Sequence, residues 1–306
     1  MLTAILIEKS WILIMKKTLF LLPILLSFLL YAQENEDNGS LVKFPGDYQG
    51  QLNVVYTHVH GWDGKLDFYN PKNSKTPTPL IIDIHGGGWQ HGVKESHRDF
   101  GPFFNMHWAV ANVEYRVAHQ AFAPAAIQDV RCALIYLIQH ARELNIDPDK
   151  IVVMGNSSGG HLALMTGLLG GSHIFDQNCP GVDSIKVFAI IDKYGQTDLR
   201  YPHKLLTKSL LKWAQEKVSD SKFLESISPI TYVNEKSPPV FILHGDDDNT
   251  VSYSQSVALN DLLEESGVVH QFMTIKGGSH GDFTTEENDH INKNIINFLT
   301  KLGIDK

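Results

Sequence analysis

The sequence predicts an α/β fold: a mainly parallel central sheet with helices on both faces and antiparallel opening strands. Short continuous apolar runs, such as Pro79 to Ile84, Ile151 to Met154 and Val240 to His244, read as strands buried on both sides. Between them lie stretches with helical spacing, clearest in Ile127, Val130, Leu134, Leu137 and Ala141. Strands alternating with helices imply crossover connections and hence parallel pairing. A third observation is Gly155-Asn156-Ser157-Ser158-Gly159, a glycine-flanked turn placed directly after a strand run and before a helical one. At 306 residues and 43% hydrophobic, the chain has enough apolar surface for one large domain. Its net charge of -8, with no basic run beyond Lys16-Lys17, speaks against a nucleic-acid partner.

Taken in order, the chain opens with a targeting pattern. Met15-Lys16-Lys17 forms a positive segment, Thr18 to Leu30 an apolar one, and Tyr31-Ala32 offers a small residue for cleavage. Residues 1–32 therefore read as a signal peptide, with Met15 as the start of translation. The expected destination is the periplasm or the medium, with no stable membrane association after cleavage. No cysteine near the cleavage point suggests a lipid anchor. Residues 33–47 are polar and acidic and are expected to form a flexible leader, so the folded domain spans 48–306.

Within that domain, Gln51 to His58 and Lys65 to Tyr69 alternate as strands around the turn Gly61-Trp62-Asp63-Gly64, a hairpin. Strands follow at Pro79 to Ile84 and Trp108 to Tyr115. Pro124 opens a helix that ends before Pro148. Ile151 to Met154 is a strand, Gly160 to Leu169 a helix, and Lys186 to Tyr194 a strand. Residues 196–238 are mostly helical and polar, a small cap inserted into the domain. Val240 to His244, Ser254 to Ser266, His270 to Ile275 and Asp289 to Leu302 complete the alternation.

The glycine-flanked turn has the G-x-S-x-G form of a nucleophile elbow, which holds a serine hydroxyl exposed on a sharp strand-to-helix turn. That reading demands three other sites, and all occur in the required order. His85-Gly86-Gly87-Gly88-Trp89 ends a strand, and the N–H groups of Gly87 and Gly88, with that of Ser158, are placed to stabilise an oxyanion. Gly245-Asp246-Asp247-Asp248 ends another strand and offers a carboxylate to orient a histidine. Gly277-Gly278-Ser279-His280-Gly281 follows the last strand and offers that histidine on a glycine-rich loop. His280 is preferred over His270, which opens a strand, and His290, which lies in a helix. His161 and His244 read as supporting or packing residues. No C-x-x-C or H-E-x-x-H spacing points to a metal, and the chemistry calls for no cofactor.

On these residues the chain resembles the α/β-hydrolase superfamily, and within it the bacterial carboxylesterases and acyl-carbohydrate esterases of the BD-FAE-like branch. The similarity extends to Tyr115-Arg116, to Pro124 through Val130, to Gly159 through Ala163, to Tyr194 through Leu199 and to Ser228-Pro229-Ile230. It covers roughly residues 50–302. The family pattern H-G-x-x-D-x-x-V falls on His244, Gly245, Asp248 and Val251, which singles out Asp248 among the three aspartates. Asn156 and Ser158 depart from the acidic residue and alanine common in relatives, and Asn249 from proline. The resemblance implies Ser157 as nucleophile, His280 as base and Asp248 as acid in an exported hydrolase of carboxylic esters. Acetyl or feruloyl groups on carbohydrate, or other short-acyl esters, are the implied substrates.

Trp89 and Tyr194, with the cap aromatics Tyr201 and Trp213, are expected to line the substrate site. Three other readings stay open: an arylformamidase-like amide hydrolase, an exported peptidase, and a non-catalytic binder on the same fold. Cys132 and Cys179 fall in unrelated contexts, a helix and a loop, and are expected to be free thiols.

Overall fold

The computed structural model describes residues 42–304, apart from 180, 183, 202 and 203. The signal peptide and residues 33–41 of the leader lie outside the described residues. The last part of the expected leader is packed rather than flexible. Val42 is buried, the Phe44 ring lies 5.3 Å from that of Tyr69, and Lys72 N–H donates to the Asp47 carbonyl. These two apolar side chains, set in a polar stretch, are the reason the folded part begins early.

Eight strands form one sheet in the order β1-β2-β4-β3-β5-β6-β7-β8. They are β1 (Tyr48–Val59), β2 (Trp62–Pro71), β3 (Thr78–Ile84), β4 (Ala109–Val113), β5 (Ile146–Asn156), β6 (Ala189–Lys193), β7 (Val240–Gly245) and β8 (His270–Ile275). β1 pairs antiparallel with β2, and β2 with β4; from β4 to β8 every pairing is parallel. The hairpin turns on His60 and Gly61 alone, both with positive φ (49° and 81°). Such a two-residue turn matches the twist of its strands, so Trp62, Asp63 and Gly64 are drawn into β2.

Side chains alternate across the sheet. Leu80, Ile82 and Ile84 of β3 and Val153 of β5 enter one core layer, while Ile81 and Val152 enter the other. The first layer is covered by α2 (Ala125–Gln139), α3 (Ser158–Leu168) and α6 (Ser254–Glu265), and the second by α1 (Gly101–Asn105) and α7 (Thr285–Lys301). Helix α7 starts earlier than its apolar spacing suggests. Thr284 and Glu287 form a reciprocal capping box that satisfies its first amides. The segment 196–238 contributes α4 (Lys204–Ala214) and α5 (Ser221–Ser226), the latter capped by the Asp220 carboxylate.

Two buried arginines tie α2 to the end of β4 and to the loop after α3. Arg116, just past β4, makes a two-pronged bridge to Asp129 of α2, which also accepts the Arg116 backbone N–H. Arg131 is wholly buried. It donates to Asp176 and to the carbonyls of Thr166, Gly170 and Ser172. The loop after α3 is thereby wrapped against α2. It brings Cys179 to Cys132, and the two form a disulfide with Cα atoms 5.4 Å apart. The expectation of free thiols is therefore corrected: Arg131 and Asp176 bridge the two contexts, a link that spacing does not reveal. Closing a loop across 47 residues contributes about 2–4 kcal/mol in the chain-entropy account.

Candidate active site

The site is assembled where β3, β5, β7 and β8 reach their carboxyl ends. β5 stops at Asn156, and Ser157 takes φ 54° and ψ -124° before α3 starts at Ser158. A serine held at positive φ is strained, and its neighbours make the turn possible. A Cβ on Gly155 would stand 2.2 Å from the Gly159 carbonyl oxygen, and one on Gly159 would stand 2.1 Å from that of Ile84. The Ser157 N–H donates to the Lys193 carbonyl, fixing the turn to β6.

His280 reaches back from the loop after β8, its Nε2 2.8 Å from Ser157 Oγ and its Nδ1 2.6 Å from Asp248 Oδ2. Asp248 has no exposed side-chain surface. Its Oδ1 accepts the backbone N–H groups of Thr250 and Val251, and its Oδ2 also accepts from His244 Nε2 at 3.1 Å. Although burial alone would raise the carboxyl, bonds from His244, His280 and the Val251 amide hold it far below the usual range. Asp248 is thus a fixed anion under the imidazole. Its neighbours are placed differently: Asp246 accepts from Gly277 N–H, and Asp247 is exposed.

His244 is locked from both ends, since Ser256 Oγ lies 2.7 Å from Nδ1 while Nε2 faces Asp248. The strand-end position hinted at this supporting role; the bond to Ser256 on α6 had no local signal. His270 and His290 stay outside the site, bonded to the Val268 carbonyl and to Asn294.

A cleft of about 460 Å³ opens over Ser157, lined by Gly86, Gly87, Gly88, Asn156, Tyr194, Gln196, Ser209, Thr250 and His280 among others. Gly87 and Gly88 have φ of 124° and 60°, and a Cβ on Gly87 would stand 1.9 Å from the His91 carbonyl oxygen. The Ser158 N–H lies at the start of α3, next to Ser157. Tyr194 lines the cleft, with its ring 4.8 Å from that of His280. A larger hollow, about 940 Å³, lies beside Trp108 and Lys150 and includes none of these residues.

Trp89 does not line the cleft. It is fully buried, stacked on Trp213 at 4.6 Å, and its indole N–H donates to His161 Nδ1. The sharp turn at Gly87 and Gly88 points it into the core, against Trp213 of α4. Trp213 is accordingly a packing residue, and Tyr201 is 74% exposed away from the lining.

His161 also donates from Nε2 to the Ile227 carbonyl, so both ring nitrogens are used in the neutral form. Burial brings its pKa down to about 4. Beside it, burial lifts Asp192, whose Oδ1 accepts the Gly195 amide, to about 7.

The BD-FAE family model matches residues 66–263. The chain belongs to the BD-FAE family. It is 27% identical over 246 residues to the probable carboxylic ester hydrolase LipM of Mycobacterium tuberculosis, covering 74% of this chain and 57% of that protein. It is 26% identical over 197 residues to the esterase LipQ of the same organism, covering 62% and 46%. The chain thus spans about half the length of the curated relatives it matches. Among solved structures, a truncated carbohydrate esterase from gut microbiota is 29% identical with a TM-score of 0.72, covering 84% of this chain and 99% of that one. An esterase of Thermogutta terrifontis is 26% identical with a TM-score of 0.68, covering 82% and 94%.

The shift on His161 has a definite sign. Its folded pKa lies below the unfolded value of about 6.5, so its stabilising contribution is full above that pH and is lost as pH falls towards 4. Asp192 runs the opposite way across much of the same range, so the effect is read as a difference. The stability gap between the wild type and His161→Gln, from urea unfolding, should narrow by about 3 kcal/mol between pH 7 and pH 4. A gap independent of pH would contradict the assignment.

Proposed function

We propose that this protein is an exported serine hydrolase that cleaves carboxylic esters through Ser157, His280 and Asp248. The observation that carries the reading is the continuous hydrogen-bonded line from Ser157 Oγ through His280 to a buried, fully bonded carboxylate. In that line His280 Nε2 takes the Ser157 proton as Oγ attacks the acyl carbon, and Asp248 holds the imidazole by its Nδ1–H. The resulting oxyanion lies towards the N–H groups of Gly87, Gly88 and Ser158, each such donor lowering the barrier by about 3 kcal/mol. His280 then protonates the departing alcohol. A water deprotonated by the same nitrogen releases the acid and restores Ser157.

Two observations support an acylated carbohydrate as the substrate. The cleft wall carries the polar side chains of Asn156, Gln196, Ser209 and Thr250, which can bond sugar hydroxyls. A structural neighbour with 29% identity is described as a carbohydrate esterase. Export is supported by the apolar segment after Lys16-Lys17 and by the Cys132–Cys179 disulfide, which suits an oxidising compartment.

Ser157→Ala should lower kcat/KM on p-nitrophenyl acetate at least about 10⁴-fold while the thermal unfolding transition persists; turnover near the wild-type rate would sink the reading. Export is checked separately by the amino terminus of the protein recovered from the periplasm or medium. It should lie just after Ala32, and a cytoplasmic chain retaining residues 15–32 would contradict it.

A further inference from the structure

Gln196 lines the cleft and carries a buried side-chain oxygen that has no hydrogen-bond partner among the described residues. The residue is 1% exposed, the oxygen is Oε1, and Ser157 and His280 line the same cleft. The backbone on either side is held firmly. Gly195 N–H donates to Asp192 Oδ1 at 2.9 Å. On the other side, Gln255 of α6 accepts from the Thr197 N–H, the Thr197 hydroxyl and the Asp198 N–H, and donates to the carbonyls of Asp198 and Tyr201. Gln255 thus uses both ends of its carboxamide to clamp the segment that carries Gln196.

A buried acceptor without a donor is costly, and native proteins leave few of them. Here one belongs to a residue on the wall of the cleft over Ser157, carried on a backbone fixed from both sides. A short unsubstituted acyl group carries no donor, whereas an alcohol portion with further hydroxyls does. A site built to bond a hydroxyl discriminates against an analogue lacking it far more strongly than an apolar pocket discriminates a methylene.

We propose that Gln196 determines specificity by accepting a hydrogen bond from a free hydroxyl on the alcohol portion of the substrate, so that esters of polyols, including sugars, are favoured over alkyl esters. This rests on the esterase reading above.

The experiment compares glycerol 1-acetate with propyl acetate, each kcat/KM divided by the ester's own hydroxide-catalysed rate constant. The ratio does not depend on how much active enzyme a preparation contains. In the wild type the glycerol ester should lead by about tenfold or more. Gln196→Met, close in volume but without the acceptor, should bring the ratio to about one, and Gln196→Glu, which keeps an acceptor, should retain most of the lead. If the Met variant yields no active protein, Gln196→Ser, too short to reach, is read in the same way. A wild-type ratio near one, or an unchanged ratio in the Met or Ser variant, would overturn the proposal. Acetylated xylo-oligosaccharides form a separate arm. If they are not hydrolysed while the glycerol preference holds and depends on Gln196, the carbohydrate reading fails and the proposal stands.

Discussion

Everything at this site depends on one backbone crossing. Ser157 sits at positive φ because the carboxyl end of β5, the start of α3 and the end of β3 approach within backbone contact. At both Gly155 and Gly159 any side chain would collide with a backbone carbonyl of this crossing. The strain of such a conformation, of order 1–3 kcal/mol, persists only where the surroundings over-determine it. Here β5 is flanked by parallel β3 and β6, and both core layers press on it. The same crossing sets the Ser157 hydroxyl at the cleft and leaves the Ser158 amide at the head of a helix.

Around that crossing, one residue type is put to four uses by its surroundings. His280 stays partly exposed, between a hydroxyl and a carboxylate, where it can exchange a proton. His244 is sealed between Ser256 and Asp248 and serves to fix the carboxylate. His161 is sealed between Trp89 and the Ile227 carbonyl and joins the glycine loop after β3 to the segment 196–238. His85 stacks on Tyr115 at 4.2 Å, and burial brings it down to about 4. Asp248 is the counterpart: four donors converge on one carboxylate, so it remains an anion even without solvent.

The parts legible in the sequence are those whose physics is local. Strand runs, the helix after Pro124, the glycine-flanked serine and the glycine-rich loops around Gly87 and His280 each announce themselves within a few residues. The choice of Asp248 among three aspartates needed a resemblance, because the distinguishing bonds come from His244, His280 and two amides folded around it. What was not legible depends on contacts distant in sequence. The Cys132–Cys179 bond follows from Arg131 gathering the loop after α3. Trp89 points inwards because Trp213 and His161 are waiting there. Gln196 has no local signal beyond its place in the family-like stretch Tyr194 to Leu199, since its unpartnered oxygen follows from the folded cleft wall.

The central claim, that this crossing and its histidine make Ser157 a nucleophile, is tested most directly by covalent capture. The protein is treated with a fluorophosphonate at neutral pH, and the adduct is located by peptide mass mapping. The account predicts one phosphonyl group, on Ser157, and none in the His280→Ala variant under the same exposure. No adduct on the wild type, or an adduct on another serine with Ser157 untouched, would contradict it.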